Sequence, residues 1–272
     1  MPTFTTSDNI TLHYTDEGAG LPLLCLAGLT RDGRDFDFVA PHLTGIRLIR
    51  LDYRGRGQSQ WADWSTYTLP VETRDVIELL DHLGLDKVAI LGTSRGGLIA
   101  MGLAAAIHDR LLGVALNDVG PEIAPEGLEG IYTYIGRNPS YKTLEALLEV
   151  WPDAISGFAN VPTSRYRAEI SRLYNETDAG LEITYDPALR DAVLATRDQP
   201  LPDLWPFFDA LAGLPLAVIR GENSNLLLQS TFQEMQRRRP DMIAATVPDR
   251  GHIPYLDEPE SLTALHAWIN NL

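Results

Sequence analysis

Hydrophobic positions in this chain fall into short unbroken runs that alternate with longer stretches of helical period. Residues 21–27, 47–53, 88–91, 112–116, 214–220 and 242–247 are strand-length apolar or mixed segments. Runs with little polar interruption suit strands covered on both faces. Between them, residues 68–85 place Val71, Val76, Ile77, Leu79, Leu80 and Leu83 at helical spacing, with Gly84 near the end. Residues 98–110, 203–212, 227–239 and 258–270 also read as helices. At the start, residues 4–14 alternate polar and apolar around Ser7-Asp8-Asn9, predicting a β-hairpin, and residues 16–20 predict a turn. Strands alternating with helices predict an α/β fold: a mostly parallel, doubly covered sheet.

That rhythm stops between residues 121 and 202. Residues 126–136, 142–150, 164–175 and 187–195 read as consecutive helices, with connectors at 154–162 and 178–186. The expected organisation is therefore a core of residues 1–120 and 203–272, with residues 121–202 inserted as a helical cap, or lid. Active sites of α/β folds lie at the carboxyl edge of the sheet, so a lid there would shape a substrate pocket. Tyr132, Tyr134, Trp151 and Phe158 either line that pocket or pack within the cap.

Composition narrows the function. With 272 residues, 44% hydrophobic and 22% charged, the chain has the make-up of a globular domain large enough for a substantial core. A net charge of −15 and no basic patch argue against nucleic acid as a partner. The one basic run, Arg237-Arg238-Arg239, falls at the end of an expected helix and reads as solvated. Cys25, the single cysteine, sits within a strand and reads as a buried, inert thiol. Residues 1–9 lack a signal-peptide layout, and no apolar run has membrane-spanning length. The expectation is a soluble cytoplasmic protein with no membrane partner. Gly55-Arg56-Gly57 begins like a dinucleotide fingerprint but continues to Gln60 where a third glycine belongs. No P-loop lysine, H-E-x-x-H or C-x-x-C occurs, so no cofactor and no metal are expected.

The chemistry gathers at Gly92-Thr93-Ser94-Arg95-Gly96-Gly97, a G-x-S-x-G between an apolar strand and a small-residue helix. A serine on so sharp a turn stands above the sheet as a nucleophile, beside helix N-terminal amides that can hold an oxyanion. The alternative is a structural turn with an idle serine. Of six histidines, His13 lies in the hairpin, and His42, His82, His108 and His266 lie on or beside helices. His252 follows a glycine in the loop after the last strand, at the same sheet edge as Ser94. It is the candidate general base.

Together with Leu51-Asp52-Tyr53-Arg54-Gly55-Arg56-Gly57-Gln58-Ser59, the loop after the early strand, and the late Gly251-His252, these motifs resemble the α/β-hydrolase family over nearly the whole chain. The resemblance implies an oxyanion hole from the backbone N–H groups of Leu29 and Arg95. Ala27-Gly28 replaces the family's frequent His-Gly there, without removing a backbone donor. The resemblance also implies an Asp or Glu in the loop after the penultimate core strand. Family members carry Ser-Asp where this chain reads Ser224-Asn225. We therefore expect Asn225 at the acid position, as an Asp-to-Asn change that would leave the enzyme inactive. The alternative acid is Asp118, whose other reading is a turn residue before Gly120-Pro121; Glu222 is a weaker candidate. The implied activity is hydrolysis of small carboxylic esters or lactones through an acyl-enzyme. Carbon–carbon bond hydrolysis with the same triad, or a non-catalytic ligand binder, are the alternatives.

Overall fold

The computed structural model describes residues 2–200 and 202–272; Met1 and Leu201, the latter within the expected 121–202 insertion, lie outside them. Eight strands form one sheet: β1 (Thr3–Thr5), β2 (Thr11–Gly18), β3 (Leu21–Leu26), β4 (Ile46–Leu51), β5 (Val88–Thr93), β6 (Leu111–Asn117), β9 (Leu216–Gly221) and β10 (Ile243–Val247). Their spatial order is β1-β2-β4-β3-β5-β6-β9-β10. β1 and β2 are antiparallel at one edge, and every pairing from β4 across to β10 is parallel. This is the doubly covered, mostly parallel sheet that the apolar runs predict.

The period of two along each strand feeds two separate cores. Leu24, Leu26, Ile90 and Val114 cluster with Val76 and Leu79 of α1 (Leu69–His82) and Ile99 and Leu103 of α2 (Arg95–Ile107). Leu23, Cys25, Ala89 and Leu91 instead meet Leu265 and Trp268 of α9 (Pro259–Ile269). α1 starts where the Thr68 hydroxyl accepts from the Val71 N–H and stops at Gly84, whose φ of +61° lets Leu85 N–H reach back to the Leu80 carbonyl. Burial pushes the Cys25 thiol well above its ordinary range, keeping it protonated.

Two local expectations change. Residues 16–18 are strand rather than turn: β2 pairs with β4 as far as Gly18 opposite Arg47, whose guanidinium forks onto Asp16 at 2.9 and 2.7 Å. The basic run is also less solvated than expected, because Arg239 is buried and donates to the Leu211 and Leu214 carbonyls.

The segment after β6 contains α3 (Pro125–Tyr134), α4 (Leu144–Ala154), α5 (Thr163–Leu173), β7 (Tyr174–Thr177), β8 (Gly180–Ile183) and α6 (Leu189–Leu194). The expected connector at 178–186 thus holds half of a hairpin. Among the described residues β7 and β8 pair only with each other, and Leu181 joins Leu147, Leu148, Tyr166 and Ile170 in a small core of their own. The chain then returns through α7 (Trp205–Asp209) to β9, α8 (Gln229–Arg238) and β10. Among the described residues, no helix is long and apolar enough to cross a membrane.

Candidate active site

β5 ends at Thr93 and α2 begins at Arg95, leaving Ser94 alone at the bend with φ +50° and ψ −114°. A non-glycine residue rarely adopts this conformation, and surrounding structure must hold it there. A Cβ on Gly92 would lie 2.5 Å from the Gly96 carbonyl oxygen, and one on Gly96 only 2.0 Å from the Leu26 carbonyl oxygen. Neither is tolerable, which explains both glycines. The Ser94 N–H donates to the Asn117 carbonyl at 2.9 Å, pinning the bend to β6.

His252 lies in the loop between β10 and α9. Its Nε2 is 2.9 Å from Ser94 Oγ, and its Nδ1 is 2.7 Å from Asp118 Oδ2. With the ring proton on Nδ1 given to the carboxylate, Nε2 presents a lone pair to the serine hydroxyl. Asp118 follows the last residue of β6 and is fully buried. Its Oδ1 accepts from the Gly221 N–H at 2.8 Å, and its Oδ2 also accepts from the Ser224 hydroxyl at 2.6 Å.

The expectation for Asn225 is therefore corrected: the side chain at position 225 is exposed, and the carboxylate on the imidazole belongs to Asp118. The reason is local. The Leu226 and Leu227 N–H groups converge on Ser224 Oγ at 3.3 and 3.1 Å, turning residue 224 inward and leaving residue 225 outside. Glu222 faces away too, accepting from the Asp249 N–H at 3.4 Å. Position 225 gives no ground for regarding the chain as an inactivated variant. Sequence reasoning missed Ser224 as a partner of the acid; the only signal was its place beside the position wrongly favoured.

The loop carrying Leu29 runs beside Ser94, with Gly28 so close that a Cβ there would be 3.9 Å from Ser94 Cβ. Arg95 opens α2, where N–H groups have no intrahelical acceptor. Both expected oxyanion donors thus belong to backbone that meets at Ser94. Arg31 of the Leu29 loop pairs with Glu169 of α5 at 2.8 Å, joining the loop after β3 to the segment after β6. A cavity of about 30 Å³ lies there, lined by Arg31, Asp35, Thr93, Asn117 and Glu169 among others. Burial, against the pull of Arg31, pushes Asp35 up to about 6. Of the four aromatic residues expected to line a pocket, Phe158 packs on Tyr255 with ring centroids 5.7 Å apart and lies close to Gly251, the neighbour of His252. Trp151 packs edge-on to Tyr174, Tyr132 lies under Arg197, and Tyr134 is exposed. Among the described residues, no group of three or more His, Cys, Asp or Glu is placed to hold a metal ion.

A serine hydroxyl on an imidazole that is backed by a buried carboxylate can be deprotonated as it attacks a carbonyl. Sheet, elbow and late histidine together define a class. A model of the alpha/beta hydrolase family matches residues 23–265, and the chain belongs to that family. It is 38% identical over 251 residues to the 3-hydroxybutyrate-oligomer hydrolase of Cupriavidus necator, covering 88% of this chain and 85% of that protein. It is 26% identical to the 2-(acetamidomethylene)succinate hydrolase of Mesorhizobium japonicum, covering 96% and 91%. Among solved structures, an alpha/beta hydrolase from Novosphingobium aromaticivorans superposes with a TM-score of 0.92 at 35% identity, covering 100% of this chain and 98% of the other. Both of these named relatives are hydrolases.

Proposed function

We propose that this chain is a cytoplasmic serine hydrolase of small carboxylic esters, and specifically of short linear esters of hydroxy acids such as 3-hydroxybutyrate oligomers. The observation that carries the mechanism is the continuous contact Ser94–His252–Asp118. The likeness to the Cupriavidus necator enzyme supports the choice of substrate. Ser94 Oγ attacks the ester carbonyl while His252 Nε2 takes its proton, and Asp118 balances the imidazolium. The N–H groups of Leu29 and Arg95 hold the oxyanion. The tetrahedral intermediate collapses, His252 returns the proton to the departing alkoxide, and the freed hydroxy acid leaves. Water, deprotonated by the same imidazole, then releases the acyl group from Ser94. Residues 121–202 serve as the lid that selects the acyl chain.

The non-catalytic alternative rested on Asn225 alone and loses its support with Asp118 at the imidazole. The test is chromatographic: purified protein is incubated with the linear 3-hydroxybutyrate dimer and trimer, and with aryl acetate and butyrate. Release of 3-hydroxybutyrate by the wild type and not by Ser94→Ala is expected. Turnover of aryl esters without turnover of the oligomers would keep the mechanism and remove the substrate. Inertness towards all of them would remove both.

A further inference from the structure

Both proposed oxyanion residues are tied by their own atoms to one buried cluster. Arg56 is almost wholly enclosed; its Nε donates to the Leu29 carbonyl at 2.9 Å and its Nη1 to the Arg54 carbonyl at 2.7 Å. The same Nη1 lies 2.9 Å from Glu72 Oε1. Glu72, fully buried in the first turn of α1, accepts through Oε2 from Arg95 Nε at 2.6 Å. Arg95 Nη2 reaches the Tyr67 carbonyl at 3.1 Å. One carboxylate thus joins the side chain holding Leu29 to the side chain of Arg95. Burial alone would push Glu72 up, but Arg95 and Arg56 outweigh it and hold the carboxyl below its ordinary range, so it stays charged.

Buried ion clusters contribute little net stability compared with well-packed apolar groups. This one is also imperfectly satisfied: among the described residues Arg56 Nη2 has no hydrogen-bond partner, and the 2.9 Å contact of Arg56 with Glu72 Oε1 is an ion pair without hydrogen-bond geometry. Its distinguishing property is where its ends attach. We propose that Glu72 is a positioning residue for the oxyanion hole: through Arg56 and Arg95 it fixes the spacing of the Leu29 and Arg95 N–H groups. This rests on the roles proposed for Ser94, Leu29 and Arg95.

Two explanations predict opposite signs. The cluster holds two guanidinium groups and one carboxylate, so neutralising Glu72 raises the positive charge near a developing oxyanion. If the cluster acted only through charge, Glu72→Gln would speed the reaction. If it acts by holding geometry, kcat falls. The expected result is a loss of about ten- to a hundredfold in kcat with KM within about twofold, smaller than deletion of a donor outright. Rates are counted per site titrated with a fluorophosphonate, so misfolded protein does not enter. Affinity for benzeneboronic acid, whose tetrahedral serine adduct places an oxygen in the hole, falls by the same factor as kcat/KM. If Glu72→Gln does not fold, Glu72→Asp makes the test instead: it keeps the charge and draws the carboxylate back by one methylene, so a charge-only role leaves kcat unchanged and a positioning role lowers it. An unchanged or raised kcat per titrated site, in whichever variant folds, overturns the inference while labelling still depends on Ser94. Labelling that survives in Ser94→Ala overturns the nucleophile assignment, and this inference with it.

Discussion

The carboxyl ends of β6 and β9 lie side by side, and each is followed by a polar residue that a base could use. Asp118 sits immediately after β6 with no exposed surface, taking hydrogen bonds from Gly221, Ser224 and His252. Asn225 sits four residues past the end of β9, in solvent. What makes a carboxylate useful to an imidazole is a fixed position and a full set of donors, and only the first strand end supplies them. The β9 loop still takes part: through the Gly221 N–H and the Ser224 hydroxyl it orients a carboxylate that it does not itself carry.

The comparison breaks most severely at the residue both strand ends serve. Ser94→Ala is expected to lower ester turnover by on the order of 10⁶ and to abolish fluorophosphonate labelling followed by mass spectrometry. Asp118→Asn comes next, with a kcat loss near ~10⁴ in steady-state assays and little change in KM, because its amide NH₂ would oppose the Nδ1 proton and favour the wrong tautomer. Ser224→Ala removes one of the donors to Asp118. A loss of about tenfold in kcat and of about 1–2 kcal/mol in urea-denaturation stability is expected. Smallest of all, Asn225→Asp changes kcat by less than about twofold. A large gain there would restore position 225 as the acid and reverse the comparison.

The same pair of strand ends shows what the chain discloses. Strand-length apolar runs and the glycines around Ser94 state the sheet and the elbow directly, because burial on two faces and a bend without room for Cβ each leave a local mark. His252 is legible from its loop and its glycine. The acid is not. Asp118 and residue 225 follow strands that neighbour each other in space, and choosing between them depends on which side chain turns inward. That is decided by the bonds of Leu226 and Leu227 to Ser224, which no periodicity records. The β7–β8 hairpin is hidden for a related reason: four-residue strands are too short to be told from a connector. Glu72 is the hardest to see, since on a helical face it looks like any first-turn acid until Arg56 and Arg95 close over it.

The bonds that pin Ser94 to β6 and Asp118 to β9 set how the site fails on local opening. The Ser94 N–H donates to Asn117 and the Asp118 N–H to Ile219, so both amides belong to the ladder of the central sheet. Their hydrogens exchange with solvent only when that ladder opens, whereas His252 rides on a loop outside it. On local opening the His252 loop is therefore expected to exchange its amide hydrogens before residues 94 and 118 do, with Ser94 and Asp118 still held. Recovery from such an excursion is the re-docking of one loop, without refolding of the sheet.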